Sequence, residues 1–138
     1  TLKVRADQPY PEGLRRAIIA KNHPILRSVK GAYRNQIATA LDRDDVVSVN
    51  HRLAVLLASV FDILFAVNRQ PHSGEKRLLA WTHAVCKFQP ADFSEQVRAT
   101  VAASGDGVGL LPAVDALLDG IDELLHQTHL LDADELTL

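Results

Sequence analysis

The sequence predicts an all-α protein, an antiparallel bundle of four main helices plus one or two short ones. Apolar residues recur three to four apart along most of the chain. Alternating runs of β-branched residues, the mark of strands, are absent. The breaks between periodic segments are short and rich in Pro, Gly and Asp.

The first helix is expected to start at Pro11-Glu12, since proline and an acid suit a first turn. It is expected to break near His23, because Pro24 disfavours a helical residue before it. A second helix then runs from about Pro24 to Leu41, with Ile25, Val29, Tyr33, Ile37 and Leu41 as one apolar stripe. Asp42 to Asp45 form a polar break with N-cap candidates. The third helix spans about Asp45 to Arg69. From Leu53 to Phe65 it is apolar on nearly every face, which places it at the bundle's centre. Gln70 to Gly74 read as a turn, and a fourth helix follows from about Gly74 to Cys86. Asp92 or Ser94 caps a short fifth helix to about Ala103. Ser104 to Gly109 form a loop, and a last helix runs from Leu110 to about His129. Leu110, Val114, Leu117, Ile121 and Leu124 form its inner stripe, with Asp115, Asp119, Asp122 and Glu123 outside. The expected organisation is a linker over 1–10, one bundle over 11–130 and an acidic tail over 131–138.

The chain has 138 residues, 47% of them hydrophobic and 23% charged, as suits one domain with one core. Its net charge of −2 gives no general pull toward nucleic acid or an anionic membrane. The single cysteine, Cys86, rules out an intramolecular disulfide and a multi-cysteine zinc site. It fits a reducing cytoplasm, and Cys86 reads as a small buried hydrophobe. The longest apolar stretch, Leu53 to Val67, is short of the roughly 18–20 residues that cross a bilayer. The sequence contains no methionine, from which an excerpt of a longer protein, or a processed product, is expected.

The densest chemical signal runs from Asn68 to Arg77. Gly74 permits a tight turn or a ligand's close approach. The start of the fourth helix offers free N–H groups and its positive end. Lys76, Arg77 and Arg69 add charge and fork-shaped donors, and Asn68 and His72 can orient a polar group. The pattern suits a phosphate site, and it equally describes a solvated turn with a basic helix start. Asp62 lies in the apolar middle of the third helix. Arg69, seven residues on, falls on nearly the same face. Such an acid either faces the same pocket or makes an internal ion pair. His126 and His129 read as a solvated helix end, and Trp81 as core. No metal-ligand spacing, nucleophile elbow or phosphate-binding Gly-Lys loop is present, so no catalytic or metal residue is assigned.

In order, the chain presents Tyr10-Pro11-Glu12, Ile18-Ile19, Arg43-Asp44, Phe61 to Arg69, and Gly74-Glu75-Lys76-Arg77-Leu78-Leu79. This order resembles the helical C-terminal domain of bacterial nucleotidyltransferases of the polymerase-β superfamily, over roughly Pro9 to Val101. The resemblance implies an N-terminal catalytic domain in cis, or a separate catalytic subunit, carrying the paired aspartates that bind magnesium. Mg and a nucleoside triphosphate are expected in the full enzyme, and this piece alone is expected to be inactive. By the same resemblance Lys76 is the first phosphate contact, with Asn68 and Arg77 beside it. Arg69, Asp62, His72 and Tyr33 extend the expected nucleotide and substrate site.

A second expectation is a stand-alone helical interaction module of a toxin–antitoxin type, possible as a homodimer. Arg77 and His83 have five residues between them. That resembles the Arg-x(4–6)-His motif of helical toxin RNases, although Leu78 stands where that family usually has a polar residue. Ten arginines and six histidines give about one such spacing by chance. Nucleic acid and membrane are not expected partners.

Overall fold

A computed structural model describes residues 10–71, 74 and 76–131. Those residues form an all-helical bundle. Its elements are α1 (Glu12–Arg27), α2 (Tyr33–Asp42), α3 (Val46–Val67), α4 (Leu78–Val85), α5 (Phe93–Ala103) and α6 (Leu110–Gln127). Residues 1–9 of the expected linker and the acidic residues 132–138 lie outside the described residues.

The centre is α3. Asp45 caps it by accepting the Ser48 N–H at 3.1 Å, which satisfies one orphan donor of the first turn. From Ser59 to Val67 every residue except Asp62 is buried. With 22 residues α3 is long and apolar enough, by length and composition alone, to cross a membrane. In this bundle its apolar surface is taken up by neighbours instead. α1 and α2 pack along it, α6 touches it, and α5 packs on α6. Buried Ile19, Ile37, Leu56, Leu64, Phe65, Leu117 and Ile121 belong to one continuous core.

The break between the first two helices is not at His23. α1 runs through Pro24 and ends at Arg27. A proline there forfeits the bond its own N–H would make to Ala20 and crowds the Ala20 carbonyl, a cost borne once in the last turn. Leu26, in the turn that follows, is buried and holds it against the core. Ser28 and Val29 both donate to the Pro24 carbonyl, at 3.0 and 3.2 Å, and close the helix. The expected stripe from Ile25 to Leu41 is therefore divided between two helices, and Val29 is an exposed link between them.

The fourth helix is shorter than expected and starts at Leu78 rather than Gly74. Arg77 has φ 52°, a left-handed conformation that no right-handed helix can run through. Gly74, with φ 105°, takes a backbone conformation open to glycine. The last helix ends at Gln127, and His129 turns left-handed so that the Leu130 N–H reaches the Leu125 carbonyl at 2.8 Å.

The acids of α6 do not merely face water. Asp115, Asp119 and Asp122 lie at i, i+4 and i+7, one stripe of the helix, and that stripe meets cations from α1 and α2. Arg34 grips Asp115 with two bonds, Nε to Oδ1 at 3.1 Å and Nη2 to Oδ2 at 2.9 Å. Arg27 Nη2 donates to Asp119 at 2.6 Å and to Asp122 at 2.8 Å. His23 Nε2 stands 2.6 Å from the other Asp122 oxygen. A carboxylate only accepts, so that ring nitrogen carries the proton. Glu123 is the one acid of the four that stays exposed without an ion pair among the described residues.

Burial alone would raise the Asp122 carboxyl, but the hydrogen bonds and charges of His23 and Arg27 outweigh it and hold the carboxyl below its ordinary value. A depressed folded-state value contributes stability above the unfolded carboxylate value of about 3.9, and that contribution disappears as the pH falls through the folded-state value. Urea midpoints measured from pH 7 down to pH 2 should therefore drop on the acid side, and Asp122→Asn should flatten that drop. An unchanged acid limb in the variant would mean that Asp122 does not join α1 to α6.

Candidate functional site

The C-terminal end of α3 is where the sequence concentrates its polar groups, and the structure divides them between two faces. Asn68 follows α3 and is half-buried. Its Nδ2 donates to the Leu64 carbonyl at 2.8 Å and to the Phe88 carbonyl at 2.8 Å, while its Oδ1 accepts the Phe88 N–H at 2.7 Å. The side chain thus behaves as a strand-like partner for Phe88. It clips the α4–α5 connection onto the end of α3, so its polar atoms are already engaged by backbone.

Arg69 is not on α3 as expected. It has φ 54° and pairs with Glu12 of α1 at 3.6 Å. The same Glu12 carboxylate meets Arg15 at 3.3 Å and Arg16 at 3.2 Å. Arg15, which the sequence reading passed over, is buried and donates to the Val67 carbonyl at 3.1 Å, capping the end of α3 from outside. Asp62 is half-buried, and its field reaches Tyr10. Burial raises the Tyr10 phenol, Arg15 opposes the shift and Asp62 adds to it. Asp62 and Arg69 therefore belong to the side of α3 that faces α1. Tyr33 packs its ring against the core in the first turn of α2, away from the turn. His72 lies outside the described residues.

Lys76 and Arg77 are exposed on the other side, in the turn before α4. Arg77 lies at the mouth of an open groove of about 550 Å³ between α4 and α5. Phe61, Leu78, Leu79, Ala80 and Val97 give it an apolar lining, and Arg98 lines it as well. Phe61 is held in place by an edge-on contact with Phe93, ring centres 5.5 Å apart. Among the described residues neither Arg77, Arg98 nor Lys76 has an acidic partner, whereas Arg15, Arg16, Arg27, Arg34 and Arg69 are all paired. An apolar lining with two unpaired guanidinium groups suits a ligand with a flat or apolar body and a negatively charged end. Arg98 was not legible as a site residue, because α5 carries it alone and only the tertiary fold brings it to the same groove as Arg77.

Apolar surface is exposed on α4 and on the connection after it. Trp81 of α4 is 41% exposed, which corrects the expectation that it is core, and Phe88 of the connection is 44% exposed. Cys86 is buried as expected, and burial pushes its thiol up to about 11, so it stays protonated near neutral pH. His83 is exposed in the last turn of α4, while Arg77 precedes that helix. The described residues hold no group of three or more His, Cys, Asp or Glu arranged to take a metal.

Compared with protein-family models, with curated proteins and with solved structures, the chain has no match.

Because Asn68 makes three bonds to backbone, Asn68→Ala should lower the unfolding free energy by roughly 0.5–1.5 kcal/mol, since the freed Phe88 groups are open to water and the Leu64 carbonyl keeps the residue-68 N–H. Urea denaturation checks this. Full stability in the variant would return Asn68 to the set of ligand contacts.

Proposed function

We propose that this chain is a helical nucleotide- and substrate-binding domain of nucleotidyltransferase type, working with a catalytic domain or subunit that supplies the magnesium-binding acids. The groove between α4 and α5 carries the reading. Its apolar lining offers a place for a base, and Arg77 and Arg98 are set to meet phosphate oxygens with paired N–H groups. Lys76 adds a third charge from the same turn, as the resemblance of the Asn68 to Leu79 stretch implies. The exposed Trp81 and Phe88 offer apolar surface against which a catalytic partner would close. The nucleotide's triphosphate would bring its own magnesium, and the residues of this chain would bind and orient it.

A second reading draws on the same exposed aromatic residues. A stand-alone interaction module would use Trp81 and Phe88 to pair with another chain, and would leave the arginine groove without a ligand.

Trp81 is the chain's single tryptophan and stands one helical turn from Leu78 in the groove lining, so its emission can report occupancy. Titration with ATP should change it saturably. Lys76→Ala, Arg77→Ala and Arg98→Ala should each weaken binding by about 3- to 30-fold, the range expected for losing a charge-assisted hydrogen bond on a partly exposed surface. No saturable change with any nucleoside triphosphate, together with a concentration-dependent dimer in sedimentation, would replace this reading with the second.

A further inference from the structure

Cations gather at a second place, the opposite end of α3. Lys30 lies in the connection from α1 to α2, Arg43 follows α2, and Arg52 stands in the second turn of α3. Together they line a concavity of about 290 Å³, with Thr39 and Ser48 contributing hydroxyl groups. No aspartate or glutamate lines it. Among the described residues Lys30 and Arg52 have no acidic partner, and Arg43 meets only Asp45, through one Nη2 at 3.3 Å. Asp45 in turn is already committed to the Ser48 N–H. That commitment and Arg43 hold its carboxyl below the ordinary value, the Ser48 bonds being the larger cause.

The frame of the concavity is fixed by backbone. Gln36 Nε2 donates to the Gly31 carbonyl at 2.7 Å and the Thr39 hydroxyl to the Asn35 carbonyl at 3.1 Å. Asn35 Nδ2 reaches the Val29 and Lys30 carbonyls at 3.4 Å. These bonds tie the connection that carries Lys30 to α2. Arg43 and Arg52 then approach from two further elements.

Of the three cations around the hollow only Arg43 is partly neutralised, by Asp45, so a multiply charged oxyanion meets net positive charge there. Two guanidinium forks and one ammonium match the tetrahedral oxygens of a phosphate. The hollow is too polar for an apolar ligand and too small for a whole nucleotide. We propose that it is a binding site for the phosphate group of a small phosphorylated molecule. It is separate from the α4–α5 groove: Arg52 and Phe61 are nine residues apart on one helix, about 13 Å along its axis.

The probe is inorganic pyrophosphate, followed by the backbone amide spectrum of the ¹⁵N-labelled chain. Saturable shifts are expected at Thr39, Ser48 and Arg52. The Lys30→Ala/Arg52→Ala double variant should bind at least tenfold more weakly, and Arg52→Gln alone should show part of that loss. All the replaced side chains are exposed, so the amide spectrum of each variant should keep its dispersion. Absence of saturable shifts, equal binding by the double variant, or shifts confined to residues 77–80 and 97–98 would each overturn the proposal. The last result would leave the groove's own reading standing, so the two sites fail separately.

Discussion

Everything in this bundle is arranged around one constraint: α3 is apolar on nearly every face and must be surrounded. Val60, Phe61, Ile63, Phe65 and Ala66 point in different directions around the helix, and all are buried. No single neighbour can cover such a surface. α1 and α2 take most of it, and α6 closes part of what remains. Hydrophobic burial drives that assembly but is indifferent to direction. Register comes from polar groups at the edges. The Asp115–Asp119–Asp122 stripe meets Arg34, Arg27 and His23 in bonds that only one alignment of α1, α2 and α6 can make.

The ends of α3 are where the buried helix meets water, and at both ends side chains satisfy its backbone. At the start Asp45 accepts the Ser48 N–H. At the finish Arg15 donates to the Val67 carbonyl, while Asn68 returns to the Leu64 carbonyl and joins Phe88. Asn68, which reads as a ligand contact in the sequence, thus has its polar atoms engaged at the helix terminus. Among the described residues, Arg77 and Arg98 at one end and Lys30 and Arg52 at the other have no acidic partner, and they carry the two proposed sites.

The helical class, the central position of α3 and the inner face of α6 were legible because 3.6-residue periodicity reports burial directly. Leu110, Val114, Leu117, Ile121 and Leu124 are all buried as that pattern requires. Pro24 misled because a proline in a last turn costs one bond and one crowded carbonyl, and tertiary contacts at Leu26 and Arg27 outweigh that cost. The start of α4 was misplaced because Arg77 adopts a left-handed conformation, which no local propensity signals in an arginine. The acids of α6 looked like a solvated face because their partners lie some 80 to 100 residues away in the chain. Their i, i+4, i+7 spacing was nevertheless a stripe, and a stripe of one charge calls for cations opposite. The candidate site was half legible: Lys76 and Arg77 stood out, but Arg98 and Phe61 are brought together by packing alone.

The central claim is that the α4–α5 groove receives a nucleotide. Amide hydrogen exchange with and without ATP and magnesium tests it at the level of single segments, without substitution of any residue. The account predicts slower exchange over residues 77–80 and 97–98 when nucleotide is present, with the interior of α3 unchanged. Protection absent from those segments at saturating nucleotide, or appearing only on the face of α1, would contradict it.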